Sequence, residues 1–279
     1  MTSTVIETRS GLRMLVDPMS DPWVETSLYK HGTYEEGTLD VLKQFLHEGD
    51  VFIDAGANIG VMSLTASLLV GSKGSVFAFE PAKETFEILK KNIGLNARMN
   101  IRAFRVALGA NIGEAMMYKP NRSQASMIKQ SPEYKEDHVA TVQTLDQCIA
   151  KEGLSKVRMV KIDVEGWELE VMQGAKKLLS AEDLPILIVE FVRHRSRQSG
   201  NTFDIYTHLL SLGSYRIFLL KEGKKVPSPF VEVLSAEDLP VHDNLFCFPK
   251  TMLEAVDNGI MTRNVSEPSN IEMGNREEG

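Results

Sequence analysis

The sequence predicts an α/β fold in which a mainly parallel sheet carries helices on both faces. Three observations lead there. Strand-like apolar runs alternate with segments of helical spacing from about residue 50 to residue 220. Several of the runs, such as VRMVKI and ILIVEF, are apolar nearly throughout, as strands covered on both sides must be. The first run, DVFIDA at 50–55, leads through the small residues AGANIG into a helix. In open α/β sheets that is where ligands bind.

The elements follow in order. Residues 4–17 read as two short strands around Ser10-Gly11, a hairpin. In 33–49, Leu39, Leu42, Phe45 and Leu46 recur at helical spacing and Gly49 stops the segment. After the strand at 50–55 come a helix at 59–71 ended by Gly71, a strand at 75–80, a helix at 83–96 and a strand at 101–108. Residues 109–144 are less regular. EAMMYKP and HVATVQTL are strand candidates, and the polar stretch 121–137 between them has the length of a functional lid. Alternation resumes with a strand at 157–162, a helix at 167–179, a strand at 186–191, a helix at 202–212 and a strand at 215–220, and NLFCFP at 244–249 fits a closing strand. The division expected is an N-terminal hairpin and helix (1–48) packing on a core domain (49–250), with a polar tail (251–279) too poor in apolar residues to order itself. LSAEDLP occurs at both 179–185 and 234–240, but nothing around the two copies matches, so both read as serine-capped turns rather than a duplication.

Composition narrows the function. A net charge of −7 repels phosphate backbones, so nucleic acid is not an expected partner. RHRSR at 193–197 is the one basic cluster that argues otherwise, and it reads as a solvated loop. Cys148 and Cys247 form no disulfide framework and no metal knuckle, and are expected in the core of a protein kept reduced. No stretch reaches the ~18 apolar residues of a membrane span, and the N-terminus has no signal-like run, so a cytoplasmic location is expected.

The turn after the first core strand carries most of the chemistry. A dinucleotide fingerprint needs G-x-G-x-x-G. Here Asn58 stands for the second glycine and Val61 for the third, leaving Asp54, Gly56, Asn58 and Gly60. Gly56 allows close backbone approach, and asparagine tolerates a positive φ. The following helix N-terminus offers free N–H groups to a carboxylate. Asp54 would repel a pyrophosphate and suits a cationic group. Glu80 ends the next strand, where an acid grips ribose hydroxyls. Ribose, a positive charge and a carboxylate without phosphate describe S-adenosylmethionine.

With these residues in view the sequence resembles the class I S-adenosylmethionine-dependent methyltransferases, and among them the FkbM-type family. The resemblance rests on YEEGT (34–38), GDVFIDAGANIG (49–60), VFAFEP (76–81), VALG (106–109), the more specific VKIDVEGWELEVMQGA (160–175) and NLFCFP. It implies a Rossmann-like sheet of seven strands, mostly parallel with an antiparallel last strand. It also implies methyl transfer to a hydroxyl of a sugar, lipid or polyketide-like small molecule. Carried over, Asp54, Gly56, Ala57, Asn58 and Gly60 would line the methionine end, Glu80 would hold the ribose, Ala107 and Leu108 would flank the adenine, and Glu35 would approach the methionine portion.

An alcohol needs a base, or a metal, to become a nucleophile at neutral pH. Asp163 and Glu165 follow a core strand and are candidates as base or, for Asp163, as partner of the cofactor's ammonium; the alternative is a helix-capping pair. Glu190, in an apolar strand, should have a raised pKa unless it is paired. His194 is a further base candidate, against a reading as an exposed loop histidine. Asp163 and Glu190 also stand where some oxygen methyltransferases bind magnesium, though two carboxylates do not define a metal site. Met127 is a candidate for contact with the acceptor. The competing functions are a cofactor-binding module without catalysis and an NAD-linked oxidoreductase. Oligomeric state is left open.

Overall fold

The computed structural model describes residues 3–96, 100–119, 124–127, 133–193 and 204–256. An N-terminal hairpin, β1 (Thr4–Glu7) and β2 (Arg13–Val16), pairs antiparallel with Thr4 opposite Val16. Helices α1 (Val24–His31) and α2 (Glu36–Phe45) follow. The core begins with β3 (Val51–Ala55), α3 (Val61–Val70), β4 (Ser75–Phe79), α4 (Lys83–Leu95) and β5 (Ile101–Phe104). A side sheet contains β6 (Ala107–Leu108), β7 (Gly113–Lys119) and β8 (Lys135–Gln143). After it come α5 (Leu145–Glu152), β9 (Met159–Ile162), α6 (Glu168–Gln173) and β10 (Ile186–Val192). Last are α7 (Asp204–Ser211), β11 (Tyr215–Leu220), β12 (Phe230–Glu232), β13 (His242–Pro249) and α8 (Lys250–Val256).

The main sheet has eight strands in the order β12-β11-β13-β10-β9-β3-β4-β5. From β10 to β5 every pairing is parallel, while β13 runs antiparallel to both β10 and β11. The expected class I arrangement is therefore present, with β12 added antiparallel at the edge. One apolar cluster fills the face under α2 and α3 with Phe52, Leu64, Phe246 and Phe248; a second fills the other face with Ile53, Val160, Leu187 and Phe191. Adjacent residues of one strand serve opposite layers, which is why these strands are apolar nearly throughout. Leu12, Met14 and Leu28 of the N-terminal segment belong to the first cluster.

Several expectations are corrected. The run 101–108 is two strands: β5 lies in the main sheet and β6 pairs with β8 in the side sheet. HVATVQTL ends as a strand at Gln143, where Thr144 Oγ1 accepts from Gln147 N and caps α5. The segment read as a helix over 167–179 is helical only to Gln173, with a 3-10 turn at Leu178–Ser180. Residues 250–256 form α8, against the reading of a tail beginning at 251; residues 257–279 lie outside the described residues. Of the two LSAEDLP copies, Ser235 does cap a short turn, whereas Ser180 Oγ donates back to Lys176 O. Both cysteines are free and buried. Among the described residues no helix is long and apolar enough to cross a membrane.

Candidate active site

The carboxyl ends of β4, β3, β9 and β10 open into a cavity of about 1010 Å³, roofed by the segment from Pro22 to Glu36 and by Gln124, Ala125 and Met127 between β7 and β8. Its central wall is the turn after β3. Gly56 has φ +82, and a Cβ there would fall 1.8 Å from Asp163 O, so no other residue fits without moving the β9 end. Asn58 holds φ 51, with its Oδ1 accepting from Ile59 N at 2.7 Å. Gly60, φ +99, begins α3, and a Cβ there would meet Leu89 Cδ1 at 2.7 Å. Gly56, Ala57 and Asn58 line the cavity; Gly60 shapes the turn from behind.

Asp54 is fully buried at the cavity floor. Its Oδ2 accepts from Ser63 Oγ at 2.6 Å, while Oδ1 has no hydrogen-bond partner among the described residues. Burial raises its pKa, and Lys161 and the Ser63 hydroxyl only partly offset that. Such an atom suits a cationic or hydrogen-bond-donating ligand. Glu80, one strand over, accepts from Asn58 N at 3.0 Å on Oε2 and from Ala82 N at 2.9 Å on Oε1. The first of these bonds ties the acid to the glycine turn. Burial pushes the Glu80 carboxyl up to about 7 despite both bonds. Beyond Glu80, the apolar residues Pro81, Val106, Ala107, Leu108 and Met117 line the cavity.

At the other end the carboxylates are paired with buried lysines. Asp163 Oδ2 accepts from Lys161 Nζ at 2.8 Å. Burial and then Glu190 push Asp163 up, and Lys161 and Lys224 pull it back. Burial would lower the Lys161 pKa, but Asp163, Asp54 and Glu35 outweigh it and hold the ammonium above its ordinary value. Lys224, from the turn between β11 and β12, reaches Glu35 Oε1 at 2.8 Å and Glu190 Oε1 at 3.2 Å. Its pKa is likewise raised: burial lowers it, and Glu190, Glu35 and Asp163 more than compensate. Glu35 Oε2 also accepts from Thr38 Oγ1 and Asn244 Nδ2, both at 3.1 Å. Tyr34 faces Glu35, Asp163, Glu190 and Glu165; burial first, then these charges, lift its pKa well above the usual value and keep the phenol protonated.

The sequence-derived candidates therefore divide. Glu35, Asp54, Gly56, Ala57, Asn58, Glu80, Ala107, Leu108, Asp163, Glu165 and Glu190 share the cavity, as does Met127. Glu190 is the paired case rather than the lone buried carboxyl. Glu165 sits at φ 58 and lines the cavity, and its carbonyl accepts from Ser126 Oγ at 2.7 Å. Asp163 and Glu165 do not cap α6. Glu168 organises that loop instead, its Oε1 accepting from Val164 N and Gly166 N at 3.1 and 3.0 Å. For magnesium, no cluster of three or more His, Cys, Asp or Glu among the described residues could hold a metal ion, and lysine ammoniums occupy the space between the carboxylates. His194, the RHRSR loop beyond Arg193 and much of the 121–137 segment lie outside the described residues. Lys161, Lys224, Tyr34 and His242 were not anticipated. A lysine inside the apolar run VRMVKI was a usable signal; the turn KEGKK around Lys224 offered none.

Residues 54–217, more than half of the chain, match the Methyltransferase FkbM domain. The chain belongs to this family. Among curated relatives of this FkbM-family chain, the hexuronic acid methyltransferase AglP of Haloferax volcanii is 29% identical over 155 residues, covering 55% of this chain and 61% of its own length. The 31-O-demethyl-FK506 methyltransferase FkbM of Streptomyces tacrolimicus is 29% identical over 161 residues, covering 47% of this chain and 61% of its own length. The match thus spans about three fifths of each of these relatives. The crystal structure of Methyltransferase FkbM from Methylobacillus flagellatus KT superposes with a TM-score of 0.46 at 15% identity, over 75% of this chain and 50% of that one.

Proposed function

We propose that this FkbM-family chain is an S-adenosylmethionine-dependent methyltransferase acting on a hydroxyl oxygen of a small molecule, with a sugar or other polyhydroxylated acceptor as the leading class. When bound, the cofactor supplies a methyl group already activated on a sulfonium. The protein's residues must then bind the cofactor, align the acceptor and exclude water. The observation that carries this reading is one continuous crevice with an apolar slot at Ala107 and Leu108, the Glu80 carboxylate beside it, and the unpartnered Asp54 Oδ1 next to the Gly56 turn. Each Glu80 oxygen accepts one backbone N–H and keeps a lone pair for a ribose hydroxyl. Asp54 and Asp163 suit the cationic part of an amino acid. The volume, about 1010 Å³, is at the top of the range for a single small-molecule site and leaves room for an acceptor beside the cofactor. The substrates for which the two relatives are named, a hexuronic acid and a demethylated FK506, are both small molecules and support that acceptor class.

Calorimetry separates this reading from a dinucleotide enzyme: S-adenosylhomocysteine should bind and NAD should not, and the reverse result overturns it. Transfer from methyl-labelled cofactor to a panel of hydroxylated acceptors separates an enzyme from a binding module, with Asp163→Ala and Glu190→Ala as controls.

A further inference from the structure

The cavity leaves open which group takes the acceptor's proton. Asp163 and Glu190 each have a carboxylate oxygen engaged by a buried ammonium. His242 is placed differently. It opens β13 opposite Val192 of β10, while Glu190 lies opposite Asn244, so His242 and Glu190 are diagonal neighbours on one face of the sheet. His242 Nε2 lies 2.8 Å from Glu190 Oε1. Lys224 Nζ is 3.4 Å from the same nitrogen, a longer contact than the carboxylate makes. Nδ1 has no partner among the described residues, and the half-exposed ring lines the cavity. An imidazole whose Nε2–H is held by a carboxylate presents a bare Nδ1. The order of strands gives the direction: β4, β3, β9, β10 and β13 stand side by side, carrying Glu80, Asp54, Asp163, Glu190 and His242 in turn. At about 4.8 Å per strand, β13 lies three strands, about 14 Å, across the sheet from β3, on the side away from the adenine slot.

Resting on the methyl-transfer reading, we propose that His242 is the general base for the acceptor hydroxyl and that Glu190 is a positioning residue that fixes its tautomer. The acceptor O–H proton passes to Nδ1. The oxygen forms the new O–CH3 bond while the electron pair of the broken S–CH3 bond stays on sulfur, and the imidazolium returns its proton to solvent through its exposed edge. The charged groups facing the ring are Glu190 from β10, Lys224 from the β11–β12 turn, Glu35 behind Lys224, and the neighbouring Asp243. Lys224 Nζ holds the same Glu190 oxygen at 3.2 Å and so fixes it beside Nε2.

Two measurements test this. Two-bond 1H–15N spectra of the full chain, with and without S-adenosylhomocysteine, should show His242 protonated on Nε2 and bare on Nδ1 at pH 8, with Glu190→Gln mixing the tautomers. A proton on Nδ1 in the wild type overturns the proposal. Transfer from labelled S-adenosylmethionine to methyl glycosides, methyl β-glucuronide included, should fall about 10²–10⁴-fold in kcat in His242→Ala and His242→Gln. The Kd for S-adenosylhomocysteine should stay within twofold, so that the loss lies in the transfer step and not in cofactor binding. An undiminished kcat overturns the proposal. If the wild type transfers to none of these glycosides, the tautomer decides. If it binds no S-adenosylhomocysteine, the cofactor reading fails, and the Nε2 tautomer then stands or falls separately.

Discussion

The pKa of Glu80 makes cofactor affinity depend on pH in a direction that can be worked out beforehand. In the free protein burial holds this carboxyl at about 7, against an ordinary value of 4.5. Ribose hydroxyls donate hydrogen bonds, which favour the ionised carboxylate. Binding therefore lowers the pKa and releases a proton wherever the free protein still carries one. The ionised fraction at pH 8 is about tenfold that at pH 6 for a pKa of about 7, so S-adenosylhomocysteine should bind about tenfold more tightly at pH 8, roughly 1.4 kcal/mol. Asp54 and Asp163, also raised, act in the same direction. Calorimetry in buffers of differing ionisation enthalpy measures both the Kd and the proton released. Glu80→Gln should remove the step between pH 6 and pH 8. It should also weaken binding by about 1–3 kcal/mol, because the amide cannot accept from both backbone N–H groups and the ribose. A wild-type Kd that is flat from pH 6 to pH 8, with binding intact, would refute this account of Glu80.

Three further outcomes are expected. Gly56→Ala, which sets a Cβ 1.8 Å from Asp163 O at a φ of +82, should destabilise the chain by about 3 kcal/mol or more in urea unfolding and abolish S-adenosylhomocysteine binding. Lys161→Met leaves Asp54 and Asp163 buried without their nearest cation and should cost about 3–5 kcal/mol at pH 8, with part of the loss recovered at pH 5 as the carboxyls protonate; a pH-independent loss would count against the ion-pair account. Dialysis against EDTA should leave both S-adenosylhomocysteine affinity and methyl transfer unchanged, since Lys161 and Lys224 already supply the positive charge between the carboxylates; activity restored only by magnesium would show otherwise.

Much of the sheet was legible because its strands are short apolar runs closed by residues with specific backbone duties. DVFIDA ends at a turn that needs Gly56 and Gly60, and the helix after it ends at Gly71. Reading failed where the chain changes layer without such punctuation. Between Phe104 and Ala107 only Arg105 and Val106 carry it from one sheet to the other, so two strands look like one. Thr144 and Gly153 do bracket α5, but the strand pattern before Thr144 runs into the cap and hides it. In the site, the cofactor side was visible because glycines and acids at strand ends are local signals. Lys224 and His242 were not, because they reach Glu190 from a surface turn and from the first residue of β13. No short stretch of sequence contains those contacts; they exist only once β10 and β13 are paired.

Backbone strain points to the same crevice by an independent route. The non-glycine residues with positive φ among the described residues are Glu35, Asn58 and Glu165, and all three line the cavity. Each costs about 1–2 kcal/mol relative to ordinary backbone. Tertiary contacts hold each in place: Glu35 through Lys224, Thr38 and Asn244; Asn58 through its N–H to Glu80; Glu165 through its carbonyl to Ser126 Oγ. Those partners come from α2, from β13, from the turn before β12, from the end of β4 and from the segment between β7 and β8. The crevice is thus shaped by elements far apart in sequence rather than by the preferences of its own loops. A substitution that loosens any one of those partners should change ligand affinity before it changes global stability.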